Sequence, residues 1–398
     1  MGLPGLRRAS VPATRGVSIL DLLGAVLALL AGVAASRIAT IDRPLVESVY
    51  ARGLYPWIAF ALAVPARAAA SFCIAPFLTG ALAIAAIVWI AAGVRPGGAP
   101  RAAVRLLSVA ALAVWFFLLF WGFNHARPAL LDRLGLPRVP ATAEALARLS
   151  ASLSIELEQA QREAAASGEI VWPSDGSGSP LDPSPAGTDP GGRAETGGRL
   201  AIPLDRLSER LAAGHRSFTP VAIGRVRYAR PKTSRFLSYL YTRIGIAGIY
   251  SPFTGEATYN GAMPDAAIPF AIAHEMAHQR ATAREDESNF LAFVACRKSG
   301  SPAARYSAAL GAWRTAIAAY ASVAPDSARA LAARIPEPAR RDLRAIRSFW
   351  QRHAGPTADV AERVNDAYLK ASGDRRGVRS YGRMIDLLLA YEETVNRP

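Results

Sequence analysis

The sequence predicts a membrane-anchored α+β protein, with three N-terminal transmembrane helices followed by a domain that has a small sheet and a mostly helical C-terminal part. Three observations carry this. Residues 17–36, 74–94 and 106–123 are apolar runs long enough to cross a bilayer. Beyond residue 220, short β-type runs are punctuated by Gly and Pro. Between Pro269 and Phe290, a helical pattern carries two histidines four residues apart. Composition agrees, since 51% of the 398 residues are hydrophobic and mean hydropathy is +0.17. The net charge of +15 rests almost wholly on Arg, because Lys occurs only at 232, 298 and 370. With no zinc-finger spacing and no basic patch interleaved with aromatics, anionic lipid is the expected partner of that charge and nucleic acid is not. Two lone cysteines, Cys73 and Cys296, make no disulfide framework.

In chain order, residues 1–16 form a polar tail with Arg7, Arg8 and Arg15 ahead of the first span, 17–36, which is long for the core of a signal peptide. Trp57 to Val64 is too short to span, and with Tyr55 and Trp57 it suits a helix lying at the bilayer interface. Spans 74–94 and 106–123 complete a membrane domain over 17–123. The loop between them, RPGGAPRAAVR, has three arginines and no acid, which places it in the cytoplasm. Three crossings from a cytoplasmic start put the remainder of the chain outside. Residues 141–166 read as an amphipathic helix with Leu146, Leu149, Leu153 and Leu157 on one face. The Gly, Pro, Ser and Asp of 167–199 read as a flexible insertion. The domain of interest is then 200–398. Helix is expected at 204–213 and 230–243, and strand at 221–228, 246–250 and 257–260. Helices at 303–322, 338–353, 358–371 and 381–393 follow, with a loop at 372–378.

The stretch PFAIAHEMAHQRATAREDESNF carries the chemistry. His274 and His278 share a helix face, where two imidazoles reach one Zn²⁺, and Glu275 lies beside the open position as a general base for a zinc-activated water. A third ligand comes from Glu285 or Glu287, which are about 200° apart on a following helix, so that one alone can face the metal. Glu285 is preferred, because Asn289 lies four residues on and on the same face, placed to hydrogen-bond a ligand histidine. GEATYN just upstream offers Glu256, Ala257, Thr258 and Tyr259 as a strand edge for an extended peptide. Tyr306, His353, Tyr381 and Arg383 are candidates for a second donor to a developing oxyanion.

HExxH followed by ExExN resembles the gluzincin class of zinc peptidases, whose third ligand is the first Glu of the sequel. More closely, VESVYARGLYPWI, WGFNHARPALLDRLGL, PKTSRFLSYLYTRIGIAGIYSPFTGEATYN, HEMAHQR, ARYSAAL and YLKASGDRRGVRSYGRMIDLLLAY resemble domain of unknown function 3810. That is a bacterial family of multi-pass membrane proteins with a metallopeptidase motif, which usually has Gly near Ala281 and Ala at Ser288. The resemblance covers about residues 46 to 391 and carries architecture rather than substrate. It implies a zincin-like domain at the bacterial inner membrane, which the loop charges and the three crossings place on the extracytoplasmic side. The expected activity is zinc-dependent hydrolysis of peptide bonds in a peptide or protein substrate. The competing expectation is a non-catalytic membrane protein whose zincin-like domain binds a partner.

Overall fold

The computed structural model describes residues 18–69, 72–173, 197–218, 226–371 and 384–395. The expected loop 372–378, Tyr381 and Arg383 lie outside these, as do 174–196 and 219–225. The chain divides into two units, Met1–Ile38 with Pro76–Leu119, and Ala39–Ala75 with Phe120–Pro398.

The first unit is helical and apolar. It is made of α1 (Ile19–Ile41) and α4 (Ile74–Phe120), the latter interrupted at Gly98, whose φ of 67° and ψ of −167° only glycine adopts freely. The interruption yields three helices long and apolar enough to cross a membrane, Ile19–Ile41, Ile74–Gly93 and Gly98–Phe120. The first runs five residues past the expected 36. The third begins eight residues before the expected 106, because Arg101 and Arg105 are helical rather than loop, and it stops at Phe120 where a 3-10 turn takes over. Gly32 lets the first helix approach Val114 and Trp115 closely, and the Trp115 indole donates to Ala28 O at 2.9 Å.

The second unit starts with α2 (Arg43–Leu45), a π-helix over Val46–Leu54 and α3 (Tyr55–Ala68). Tyr55, Ala59, Ala63 and Ala66 of α3 are buried, whereas Trp57, Phe60 and Val64 are exposed. Among the described residues this piece is not one of the candidate spans. After the third apolar helix come the 3-10 turn Gly122–Ala126 and α5 (Leu130–Arg133).

The main core packs α6 (Ala143–Ala166), α7 (Leu204–Phe218), α9 (Ile268–Gln279), α10 (Glu285–Lys298), α11 (Pro302–Ala321) and α15 (Met384–Val395). Thr142 caps α6 by accepting from Ala145 N, and the Leu146, Leu149, Leu153, Leu157 face packs against α11. α12 (Pro325–Ala332), α13 (Glu337–Arg352) and α14 (Pro356–Ala371) follow α11. α8 (Arg235–Arg243) begins five residues later than expected, because Pro231 keeps the preceding backbone extended and Ser234 supplies the N-cap.

Strand content is smaller than the α+β expectation. β1 (Ile170–Val171) pairs with β2 (Arg199–Leu200), and β3 (Gly248–Ser251) with β4 (Glu256–Tyr259), both antiparallel. The β1–β2 pair closes the base of the expected flexible insertion, so its ends are ordered: Trp172 Nε1 and Gly198 N both donate to Asp342, at 2.9 and 2.6 Å. Of the strand expected at 221–228, the described part, 226–228, is not strand. The second unit is thus mostly helical with two small sheets.

Candidate metal centre

α9 begins with Pro269 in its first turn and buries Ile268, Ala271, Ile272, Ala273, Met276 and Ala277, so the helix bearing the histidines is held on nearly all sides. Its end decides the geometry of the site. Ala281 N donates to His278 O, and Thr282 N donates back to Ala277 O, with Ala281 in the left-handed region at φ 64°. This reversal brings Thr282 O to 2.6 Å from His278 Nδ1 and starts α10 with Glu285 facing back toward α9. A left-handed residue with a Cβ costs about 1–2 kcal/mol, and Ala281 bears that cost in this turn.

Three donors converge. The Nε2 atoms of His274 and His278 are 2.9 Å apart, and Glu285 Oε2 is 3.1 Å from the first and 3.7 Å from the second. Among the described residues these three form the one His/Cys/Asp/Glu group whose ligand atoms lie close enough to hold a metal, within 4.8 Å of one another. Both Nδ1 atoms face acceptors: His274 donates to Asn289 Oδ1 at 2.8 Å and His278 donates to Thr282 O. A histidine whose Nδ1 carries the proton presents a bare lone pair at Nε2. Two such lone pairs and a carboxylate aimed at one point repel unless a cation lies among them, so this donor set fits a divalent metal.

Burial would raise the Glu285 carboxyl, but the two histidines hold it far below the usual carboxylate range. Burial would lower His278, but the Glu285 charge outweighs it and pushes the imidazole up to about 9, so metal uptake there would release a proton from Nε2. Glu275 is buried and raised by burial, against the pull of both histidines. It stands against β3 so closely that a Cβ on Gly248 would meet its Oε1 at 2.7 Å.

Glu287 faces elsewhere. It accepts from Leu130 N at 2.8 Å and pairs with Arg133 at 2.7 Å and Arg284 at 2.9 Å. β4 offers no free edge: β3 lies on one side, and on the other Lys232 N donates to Ala257 O and accepts from Tyr259 N through its carbonyl. Glu256, Ala257, Thr258 and Tyr259 are all buried, and Glu256 is committed to Lys232 Nζ at 2.6 Å and to Ile74 N and Ala75 N. The peptide-edge expectation for these four residues therefore does not hold, because polar letters that suggested an exposed edge belong to a buried ion pair. Tyr306 is buried in α11 with its hydroxyl on Asp342 at 2.6 Å, and His353 bonds back to Phe349 O. Neither is brought to the centre.

Other residues are. The Trp121 ring stands edge-on 5.9 Å from His278, and its indole donates to Tyr368 Oη at 3.0 Å, which also meets His125 Nε2 at 3.1 Å. Burial, with Arg284 nearby, pushes His125 down to about 4, so this histidine is a neutral partner of Tyr368. No local spacing announces this cluster, because Tyr368 lies more than 240 residues beyond Trp121 and His125.

A family model described as "Protein of unknown function (DUF3810)" matches residues 50–389, most of the 398-residue chain. The chain belongs to this family. Within DUF3810 as matched here, the segment spans α3 to α15 and thus the whole converging group. Comparison with curated proteins and with solved structures gives no match.

Proposed function

We propose that this DUF3810 member is a membrane-anchored zinc-dependent metallopeptidase with a gluzincin-like site, anchored in the bacterial inner membrane with its second unit on the extracytoplasmic side. One observation supports it above all: His274, His278 and Glu285 direct three donor atoms at one point while Glu275 stands beside them. His274, His278 and Glu285 would hold Zn²⁺, oriented by Asn289 and Thr282 O. Bound there, the ion would supply Lewis acidity.

Every other part falls to the chain. Glu275, raised by burial, accepts a proton from the attacking water and delivers it to the leaving amine. Water adds across the C–N bond, and the products are a carboxylate and an amine. β3, whose outer edge has no strand partner among the described residues, replaces β4 as the edge on which an extended peptide would lie, with Gly248 beside Glu275.

The test is metal content and hydrolysis of an unstructured protein such as casein by the full-length chain in detergent. Zinc should be present at one per chain, be lost in Glu285→Ala, and stay in Glu275→Gln while hydrolysis disappears. Zinc retained without Glu285 would refute the ligand set. A cellular phenotype indifferent to Glu275→Gln would favour a partner-binding role instead.

A further inference from the structure

The residues at which the chain enters and leaves its apolar helices are gripped by the same elements that build the candidate centre. Phe120 ends the third apolar helix, and the next residue, Trp121, is already in ring contact with His278. The segment that follows wraps the turn between the two ligand helices. Arg284 donates to His125 O at 3.2 Å and Arg127 O at 2.6 Å, and Arg127 donates to Ala281 O at 3.0 Å. At the other entry, Ile74 and Ala75 open the second apolar helix, and their backbone N–H groups donate to Glu256 at 3.0 and 2.7 Å. Gly255, the preceding residue, accepts from Gln279 beside His278. If Ile74–Gly93 and Gly98–Phe120 cross in opposite directions, Ile74 and Phe120 emerge on the same face of the bilayer. Covalent connectivity then leaves no slack between that face and the centre.

A second observation is independent of the first. α3 turns Trp57 (73% exposed), Phe60 and Val64 outward, while Tyr55 on its buried side meets the Tyr250 hydroxyl of β3 at 3.4 Å. An unpartnered apolar face rich in aromatics, on a helix joined to the site hairpin and covalently continuous with a span, suits the bilayer surface.

We propose that the centre works at the bilayer surface and that its substrates are membrane-tethered peptides, the stems that join a protein to its membrane helix or lipid anchor. This rests on the peptidase reading above. The experiment uses the full chain, zinc-loaded, in liposomes. The probes are mixed-sequence fluorogenic octapeptides, either soluble or joined to a palmitoyl anchor by six or forty Gly/Ser residues. Six residues reach at most about 20 Å, and forty have an end-to-end distance of roughly 35 Å. Both anchored probes share the gain from surface concentration, so their ratio reports distance alone.

The short-tether probe should be cleaved at least tenfold faster than the long one. Equal rates, or faster cleavage of the long-tether or soluble probe, overturn the proposal and leave the peptidase reading standing. No cleavage of any probe sinks the peptidase reading and the substrate assignment with it. Surface placement has a readout without catalysis, which is bimane on Ile249→Cys in β3. Lipids with a shallow doxyl group should quench it, and unquenched fluorescence overturns the placement.

Discussion

Gly248 has no room for a side chain. A Cβ there would stand 2.7 Å from both Glu275 Oε1 and Thr258 O, and the second of these is backbone that cannot swing away. Gly248→Ala must therefore displace the Glu275 carboxylate. Because about an ångström of misplacement can cost on the order of 100-fold in rate, kcat should fall by that order while zinc content is unchanged. A second residue tests the turn. Ala281 stands at φ 64° with its methyl buried. Relief of left-handed strain in Ala281→Gly, about 1–2 kcal/mol, is offset by chain entropy and one lost buried methyl, each up to roughly 1 kcal/mol, so thermal stability should stay near that of the parent. Ala281→Val has no such offset and should lower the thermal midpoint and the zinc affinity together, since the turn holds Thr282 O on His278. The pairing of His274, His278, Glu285 and Asn289 was legible because helical period sets which residues share a face. Trp121, His125 and Tyr368 were not legible, because no period links residues of α14 to a turn after the third apolar helix.

At the scale of elements, buried charge does the joining. Glu47 in the π-helix takes a bidentate pair of bonds from Arg127, at 2.7 and 3.1 Å, and Arg127 in turn holds the turn after α9. Burial would raise the Glu47 carboxyl, but Arg127, with Arg133 and Arg52, overcomes it and holds the group below 4.5. A depressed carboxyl adds stability that is complete above its unfolded value and is lost as pH falls through its folded one. The gap in thermal midpoint between the parent and Glu47→Gln should thus be widest above pH 4.5 and should shrink as the pH falls below it. A gap independent of pH would show that packing, not charge, makes the contact. The same kind of pairing explains the misplaced strand edge. Lys232 and Glu256 are 24 residues apart and each looks like a surface letter, yet they are buried together at 2.6 Å, with Lys232 also donating to Ala66 O and Phe72 O. Binary patterning reads a charged residue as exposed and is blind to a partner elsewhere in the chain.

For the molecule as a whole, the side on which the second unit works depends on the parity of the crossings. α3 has 14 residues, a rise of roughly 21 Å, well short of a hydrocarbon core of about 30 Å. It is therefore too short to add a fourth crossing to the three apolar helices found among the described residues. Under the proposed topology, Arg95, Arg101 and Arg105, with no acid among them, would hold the junction of the second and third in the cytoplasm, and residues beyond Phe120 would then lie outside. Thiol labelling decides this, because both native cysteines are buried and contribute little background. In spheroplasts, Val323→Cys, at an exposed position of the second unit, should react with a membrane-impermeant maleimide. Ala99→Cys, in the connection beside Gly98, should react only after lysis. The reverse pattern would put the centre in the cytoplasm, where its substrates would be stems on the inner face, while the coordination proposed for His274, His278 and Glu285 would be unaffected.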